Sequence, residues 1–354
     1  MTRPHTRPGL AADDEDLWFL PGPTDEEDLP PGAAPLPTAP RRALFDMAEW
    51  RAAQDRASGA LADLAQAFGE LDLRLRLGPE GLLHRLALRE AADLSWWVGD
   101  RIAADRLCLW QARRLGSTDD ADQALPRAGW ALRRLSGGAA PAEGLARFLD
   151  RPQMGNLQAD PATPGAQFRA DPGAVADLSQ LLAEAADLHP VTQTAVMFHA
   201  WRLLGAPQTR DMEAAVLAAR HAGQMARRAG AGATFLPLAQ SGPGTFRGEG
   251  PPARKFAAWV AGATQATLAA LLHLERLEAW QDKARAAITD LSGRTPARLV
   301  DCLMRWTHVS VALAEAETAT SRASCQRNLD LLAERGLIRE LTGQGRYRVW
   351  AARV

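Results

Sequence analysis

At 354 residues the chain can hold two or three domains of the usual ~100–200 residues each, and 47% of its residues are hydrophobic, as in an ordinary globular protein. The formal net charge of −1 neither favours nor excludes nucleic acid for the chain as a whole, so charge has to be read by segment. Ala and Leu are abundant, Tyr occurs once, and β-branched residues are few, which favours an α-rich body.

Only Lys255 and Lys283 are lysines; every other basic residue is Arg. The planar guanidinium suits phosphate, although a GC-rich genome produces the same bias. Cys108, Cys302 and Cys325 are far apart, with no CxxC pair and no His at metal spacing. They fit small buried residues in a reducing compartment better than a disulfide framework or a zinc site. No apolar leader core and no run of about 18 apolar residues is seen, so the expectation is a cytoplasmic protein with no membrane partner, no metal and no cofactor.

Residues 1–41 are rich in Pro and acid, with Asp13–Asp16 and Asp25–Asp28 as two acidic runs. Too little apolar surface is present to offset chain entropy, so a disordered tail is expected. Trp18, Phe19 and Leu20 interrupt it, as a docking motif for a protein partner or as an incidental aromatic cluster.

Residues 42–290 then read as an all-α domain of seven or eight bundled helices. The 3.6-residue period predicts helices over 45–69, 80–87, 89–115, 119–135, 173–187, 190–204, 209–229 and 253–287. On the last of these Phe256, Trp259, Ala263, Leu268, Leu271 and Leu277 are expected on one apolar side. The Pro- and Gly-bearing stretches 150–172 and 230–252 read as irregular connections.

From about residue 291 the pattern changes. Residues 297–306 are helical, Thr307–Val309 suits a very short strand, and Ser310 is a good N-cap for a helix over 311–317. A turn at Thr318–Thr320 leads to a third helix from Ser321, closed by Gly336. The β-rich runs Leu337–Thr342 and Tyr347–Trp350, joined by Gly343–Arg346, read as a hairpin. Helix, helix, helix, hairpin is the winged helix-turn-helix order, and residues 291–354 are assigned to it.

On the third helix Cys325, Leu329 and Leu332 recur at i, i+4, i+7 and must face the core. The opposite face carries Ala323, Gln326, Arg327 and Asp330, flanked by Arg322 and Ser324, with Asn328 nearer the core edge. Arg pairs bidentately with guanine and Gln with adenine, and the N-terminal half of a recognition helix reaches the bases. Arg322, Ser324, Gln326 and Arg327 are therefore the expected base-reading positions, with Arg346 and Arg348 on the hairpin for phosphate or the minor groove. Residues 291–354 hold ten Arg against six acids, a net of +4. Such a module binds DNA weakly on its own, which points to a homodimer on double-stranded DNA.

Catalytic constellations are missing: no P-loop, no GxGxxG after a strand, no GxSxG and no HExxH. His189, His199 and His221 read as helix-surface or core histidines. The glycines of 230–252 lack the Lys-Ser/Thr of a phosphate cradle, and Trp96, Trp97 and Trp201 read as core. A non-enzyme is expected.

Three stretches carry a resemblance: Arg85–Arg114 ("RLALREAADLSWWVGDRIAADRLCLWQARR") leading into Asp119–Arg134, Phe235–Leu238 with the long helix after it, and "CQRNLDLLAERGLIRELTGQGRYRVW" at the C-terminus. Together they resemble bacterial proteins that pair a helical domain of unknown function with a C-terminal helix-turn-helix DNA-binding domain. The resemblance implies fold and DNA binding but no reaction. The layout is more distantly similar to Fic-domain AMP-transferases. Of their His-Pro-Phe…Gly-Asn-Gly-Arg motif, His199–Gly205 keeps only the His, and their serine-led inhibitory motif is not preserved around Ser95–Gly99. The expected function is thus a transcriptional regulator whose body dimerises or senses a ligand. The alternatives are a degenerate Fic-like nucleotide-binding protein and a protein–protein interaction module.

Overall fold

In the computed structural model the residues described are 44–112, 123–152, 167–168, 170–207, 209–226, 232–344 and 347–354. The acidic segment with Trp18–Leu20 lies outside them. The chain is mainly helical.

Asp46 caps the first helix, α1 (Met47–Arg56), by accepting from the Ala48 N–H at 2.8 Å. The single helix predicted over 45–69 is in fact two, because the chain breaks at Ala57 before α2 (Ser58–Leu77). A second difference follows. The predicted helices 80–87 and 89–115 are instead α3 (Leu82–Trp97) and α4 (Ala104–Gln111). The Ser95 hydroxyl donates to the Ala92 carbonyl and accepts from the Ile102 N–H, so it replaces helix bonds where the chain turns aside. Gly99 and Arg101 take left-handed φ of 92° and 53° there, an easy conformation for the glycine and a costly one for the arginine.

α5 (Ala124–Ser136) and α6 (Leu145–Leu149) precede a two-residue antiparallel pair, β1 (Arg151–Pro152) with β2 (Gln167–Phe168). α7 (Pro172–Glu184) and α8 (Pro190–Leu204) fall close to their predicted spans, whereas α9 (Arg210–Ala222) gives way to a single tight turn at Gly223–Met225, short of the predicted 229. Pro at N1 suits both α7 and α8, since the missing N–H has no helical partner there. Then comes α10 (Pro252–Ala286), 35 residues long. Phe256, Trp259, Ala263, Leu271 and Leu277 are buried along it as expected. Leu268 is not, at 45% exposed; the buried neighbour is Thr267, whose hydroxyl is satisfied by the Ala263 carbonyl. By length and composition α10 is also apolar enough to cross a membrane, contrary to the expectation of no such stretch. Residues 256–274 carry no Asp, Glu, Lys or Arg. They are rich in Ala rather than Leu, which hides the run on inspection. Nearly half of that segment is buried against other helices.

Residues 232–240, between α9 and α10, are not a surface connection. Phe235, Leu236, Leu238 and Phe246 are buried, and side chains satisfy the backbone that threads past them. Asp72 accepts from the Gly232 and Ala233 N–H groups at 2.7 and 2.9 Å. Glu90, fully buried, accepts from Leu238 and Ala239 at 2.8 and 2.9 Å. Arg220 donates to the carbonyls of Thr234 and Gly138. Pairing of this kind is what a strap needs in order to lie inside a core without a ladder. Gly262 lets α10 approach this strap, because a Cβ there would collide with the Thr245 backbone.

After α10 come α11 (Thr295–Arg305), β3 (Val309–Ser310), α12 (Val311–Thr318), α13 (Arg322–Glu334), β4 (Ile338–Glu340) and β5 (Val349–Ala352). The strands form an antiparallel sheet in the order β3-β5-β4, with Val309 opposite Trp350 and Ile338 opposite Ala352. Ser310 caps α12 as anticipated, accepting from Leu313. The second strand of the hairpin, however, starts at Val349 and not at Tyr347. Tyr347 has a φ of 59°, outside the extended region. Glu340 also ends β4 early by accepting from the N–H groups of Thr342 and Gly343, both at 2.8 Å.

These C-terminal elements are locked to the body. Arg85 on α3 is buried and donates to the carbonyls of Leu303, Trp306 and Met304 at 2.8, 3.1 and 3.3 Å, closing the end of α11. Burial brings its guanidinium down to about 10. Trp280 on α10 donates to the Leu337 carbonyl at 2.7 Å. Arg335 grips Asp290 and the Ala287 carbonyl. Asp105 on α4 meets both His308 (3.2 Å) and Arg339 (2.6 Å). The hydrogen bond from His308 comes first, and with Arg339 it outweighs burial and holds the Asp105 carboxyl below its usual range.

Candidate nucleic-acid interface

α13 begins at Ser321, whose hydroxyl accepts from the Ser324 N–H. The turn before it is tight. Ala319 adopts φ 50°, ψ 41°, where a glycine is usual. Arg298 donates to the Thr318 carbonyl at 2.7 Å, and the Thr318 and Thr320 hydroxyls pair at 2.6 Å. These bonds hold the turn against the cost of a Cβ in the left-handed region, roughly 1–2 kcal/mol.

The helix then divides as its period requires. Cys325, Leu329 and Leu332 are fully buried against neighbours that include α11, α12 and β4. Arg322, Ala323 and Arg327 are exposed, and Ser324 and Gln326 are half-buried beside them. Asn328 is committed to its own helix, donating to the Ser324 carbonyl at 2.9 Å. Arg346 lies outside the described residues.

Five arginines of this region hold it together. Arg298 caps α12, Arg305 pairs with Glu317 at 2.8 Å, and Arg335 and Arg339 reach the body. Arg348 is engaged too. Expected at the hairpin as a phosphate contact, it donates to Asp330 on α13 at 2.7 Å and lies 4.9 Å over the Trp350 ring. The sequence hides this pair because the partners are 18 positions apart and Asp330 falls by period on the outward face. Among the described residues, Arg322 and Arg327 on α13 carry no ion pair, and both face outward.

At the hairpin, burial pushes the Glu340 carboxyl up, but its bonds from Thr342 and Gly343 outweigh this and keep it below the usual range.

A concavity of about 650 Å³ lies where α1 meets the start of α10 and is lined by Trp50, His199, Arg202, Glu249 and Lys255 among others. His199 packs on Phe198 and Trp50, and burial brings it down to about 3, so it is a neutral ring. Arg202 is paired with Asp211 at 2.8 Å. His189 caps α8 through Nδ1, and His221 pairs with Gln193 at 2.7 Å. The three cysteines are free thiols; burial pushes Cys108 and Cys302 up to about 12, which makes them poor nucleophiles. Trp201 is buried and bonds Glu213, and Trp97 stacks on Phe246, but Trp96 is 56% exposed and is not core. Among the described residues no group of three His, Cys, Asp or Glu is placed to hold a metal ion.

Comparison with protein-family models and with curated proteins finds no match to this chain.

Proposed function

We propose that residues 291–354 are a winged helix-turn-helix and that the protein binds double-stranded DNA through α13, as a non-enzymatic transcriptional regulator. One observation carries this reading. The outward face of α13 holds two unpaired arginines, Arg322 and Arg327, beside Ser324 and Gln326, while its inward face is closed by Cys325, Leu329 and Leu332. Exposed guanidinium groups at the start of a helix of this diameter suit the major groove. Since other arginines of the segment are consumed by internal bonds, few cations remain for phosphate. A homodimer, doubling the contacts, is the form in which such a module reaches useful affinity.

The test is fluorescence anisotropy of the full chain against a randomised duplex pool, followed by the selected sequence. Specific binding is expected, with Arg327→Ala costing roughly tenfold or more on the selected site. Sequence-independent binding that is unchanged in Arg322→Ala and Arg327→Ala overturns the reading.

A further inference from the structure

We infer that Asp330 is a positioning residue that presets the Gln326 amide to read adenine, and that Arg348 serves this device rather than the DNA backbone. The inference rests on the DNA-binding reading above and adds a base and a mechanism to it.

Gln326 and Asp330 are four residues apart on α13, so their side chains meet on one face. Gln326 Nε2 donates to Asp330 Oδ2 at 2.9 Å, and Arg348 Nη1 donates to Oδ1 of the same carboxylate at 2.7 Å. Each carboxylate oxygen thus has its own donor. Arg348 in turn rests over Trp350, whose ring is fully buried in the β-sheet. A chain of contacts therefore runs from a core aromatic, through a cation and a carboxylate, to one amide on the outward helix.

The carboxylate also decides which way the amide points. An ionised carboxylate only accepts, so it must face the NH2 group; the flipped amide would set two oxygens together. Gln326 is left with its second N–H and its Oε1. Adenine offers an N7 acceptor and an N6 amino donor side by side in the major groove, the complement of that pair. Holding the amide before contact reduces the side-chain ordering that binding would otherwise require. Arg348, by contrast, has its Nη1 on Asp330 and its guanidinium plane against Trp350, an arrangement that fixes the hairpin strand to the recognition helix.

A phosphate contact and a positioning contact leave different signatures. Losing a phosphate contact weakens all sequences alike and lowers the salt slope by about one; losing a base reader relaxes one position. The experiment measures affinities of the full chain for the selected duplex, for single-base variants of it and for an unrelated duplex, at several salt concentrations. Wild type is expected to prefer A·T at one position by roughly tenfold. Gln326→Ala, Asp330→Ala and Arg348→Ala should each erase that preference, at the same position, with the salt slope unchanged. Thermal melting of each variant verifies folding, and Gln326→Ala, a change at a half-exposed helix position, keeps the test decisive if Arg348→Ala unfolds. A uniform loss with a salt slope lowered by about one in Arg348→Ala overturns the inference. So does an undiminished preference in Asp330→Ala. Specific binding without a Gln326-dependent position overturns this inference alone, whereas no binding of any duplex by wild type overturns the DNA-binding reading itself.

Discussion

Two carboxylates organise this molecule, and they differ chiefly in burial. Glu90 is wholly enclosed in the body and satisfies two N–H groups of the strap. Asp330 lies at the surface of the C-terminal region and joins Gln326 to Arg348. The first accepts bonds that the backbone has no other way to make, so it acts in folding. The second is wet on one side, so its bonds add little to the stability of the fold and serve instead to orient their two partners. The same functional group therefore carries the fold where water is absent and orients side chains where water is present.

The sharpest way to break that contrast is substitution. Glu90→Ala should destabilise by about 5 kcal/mol, since two buried N–H groups lose their acceptor and a cavity opens. Asp330→Ala should stay within about 0.5 kcal/mol of wild type. Urea denaturation measures both, and equal losses would remove the distinction.

Titration separates the two next. Burial, with Asp93 adding to it, pushes Glu90 up to about 8, against the pull of the Leu238 and Ala239 N–H groups. A carboxyl raised in the fold binds its proton more tightly there than in the unfolded chain. Its contribution to stability is full below the ordinary carboxylate pKa and drains away as pH rises towards 8. His199 and His273, lowered to about 3 and 4 by burial, act in the opposite sense, and their loss falls below pH 6.5. Between pH 6.5 and 8 Glu90 therefore sets the trend, and stability should drop by about 2 kcal/mol. Glu90→Gln keeps an oxygen for both N–H groups, so its stability should be flat across that window in pH-resolved denaturation.

Smaller effects probe the seam and the turn. Trp280→Phe removes one of two bonds to the Leu337 carbonyl, which keeps the Arg353 N–H, and should cost about 1 kcal/mol by thermal melting. Ala319→Gly relieves the left-handed Cβ and should raise stability by about 0.7 kcal/mol, net of the extra freedom of the unfolded glycine. A loss on that change would mean the turn draws its stability from the methyl group.

Much of this architecture is legible from period alone. The buried face of α13 and the Ser310 cap follow from local spacing, because a helix repeats its surroundings every 3.6 residues. The breaks at Ala57 and at Gly99–Arg101 are harder to see. Ala57 is a good helix former, and the second break depends on a serine hydroxyl seven residues from the amide it accepts from. The glycines of the strap resemble loop punctuation, so its sequence reads as an irregular connection. What makes it internal is Glu90, about 150 positions earlier in the chain. Arg348 is the same kind of case: its residue type suits phosphate, but its bond depends on Asp330. Local signals carry the elements, and distant pairings decide what each polar group is for.

The length of α10 has a mechanical consequence. Its first residue, Pro252, borders the cleft beside Trp50 and His199, and Trp280, near its other end, holds the start of β4 through the Leu337 carbonyl. At about 1.5 Å per residue the rod is roughly 52 Å long and stiff along its axis. No proline follows Pro252, and the helix runs without a break over that length. The helix is one continuous rod that borders the cleft at one end and seats the start of the hairpin at the other, so a single element sets the spacing between the two.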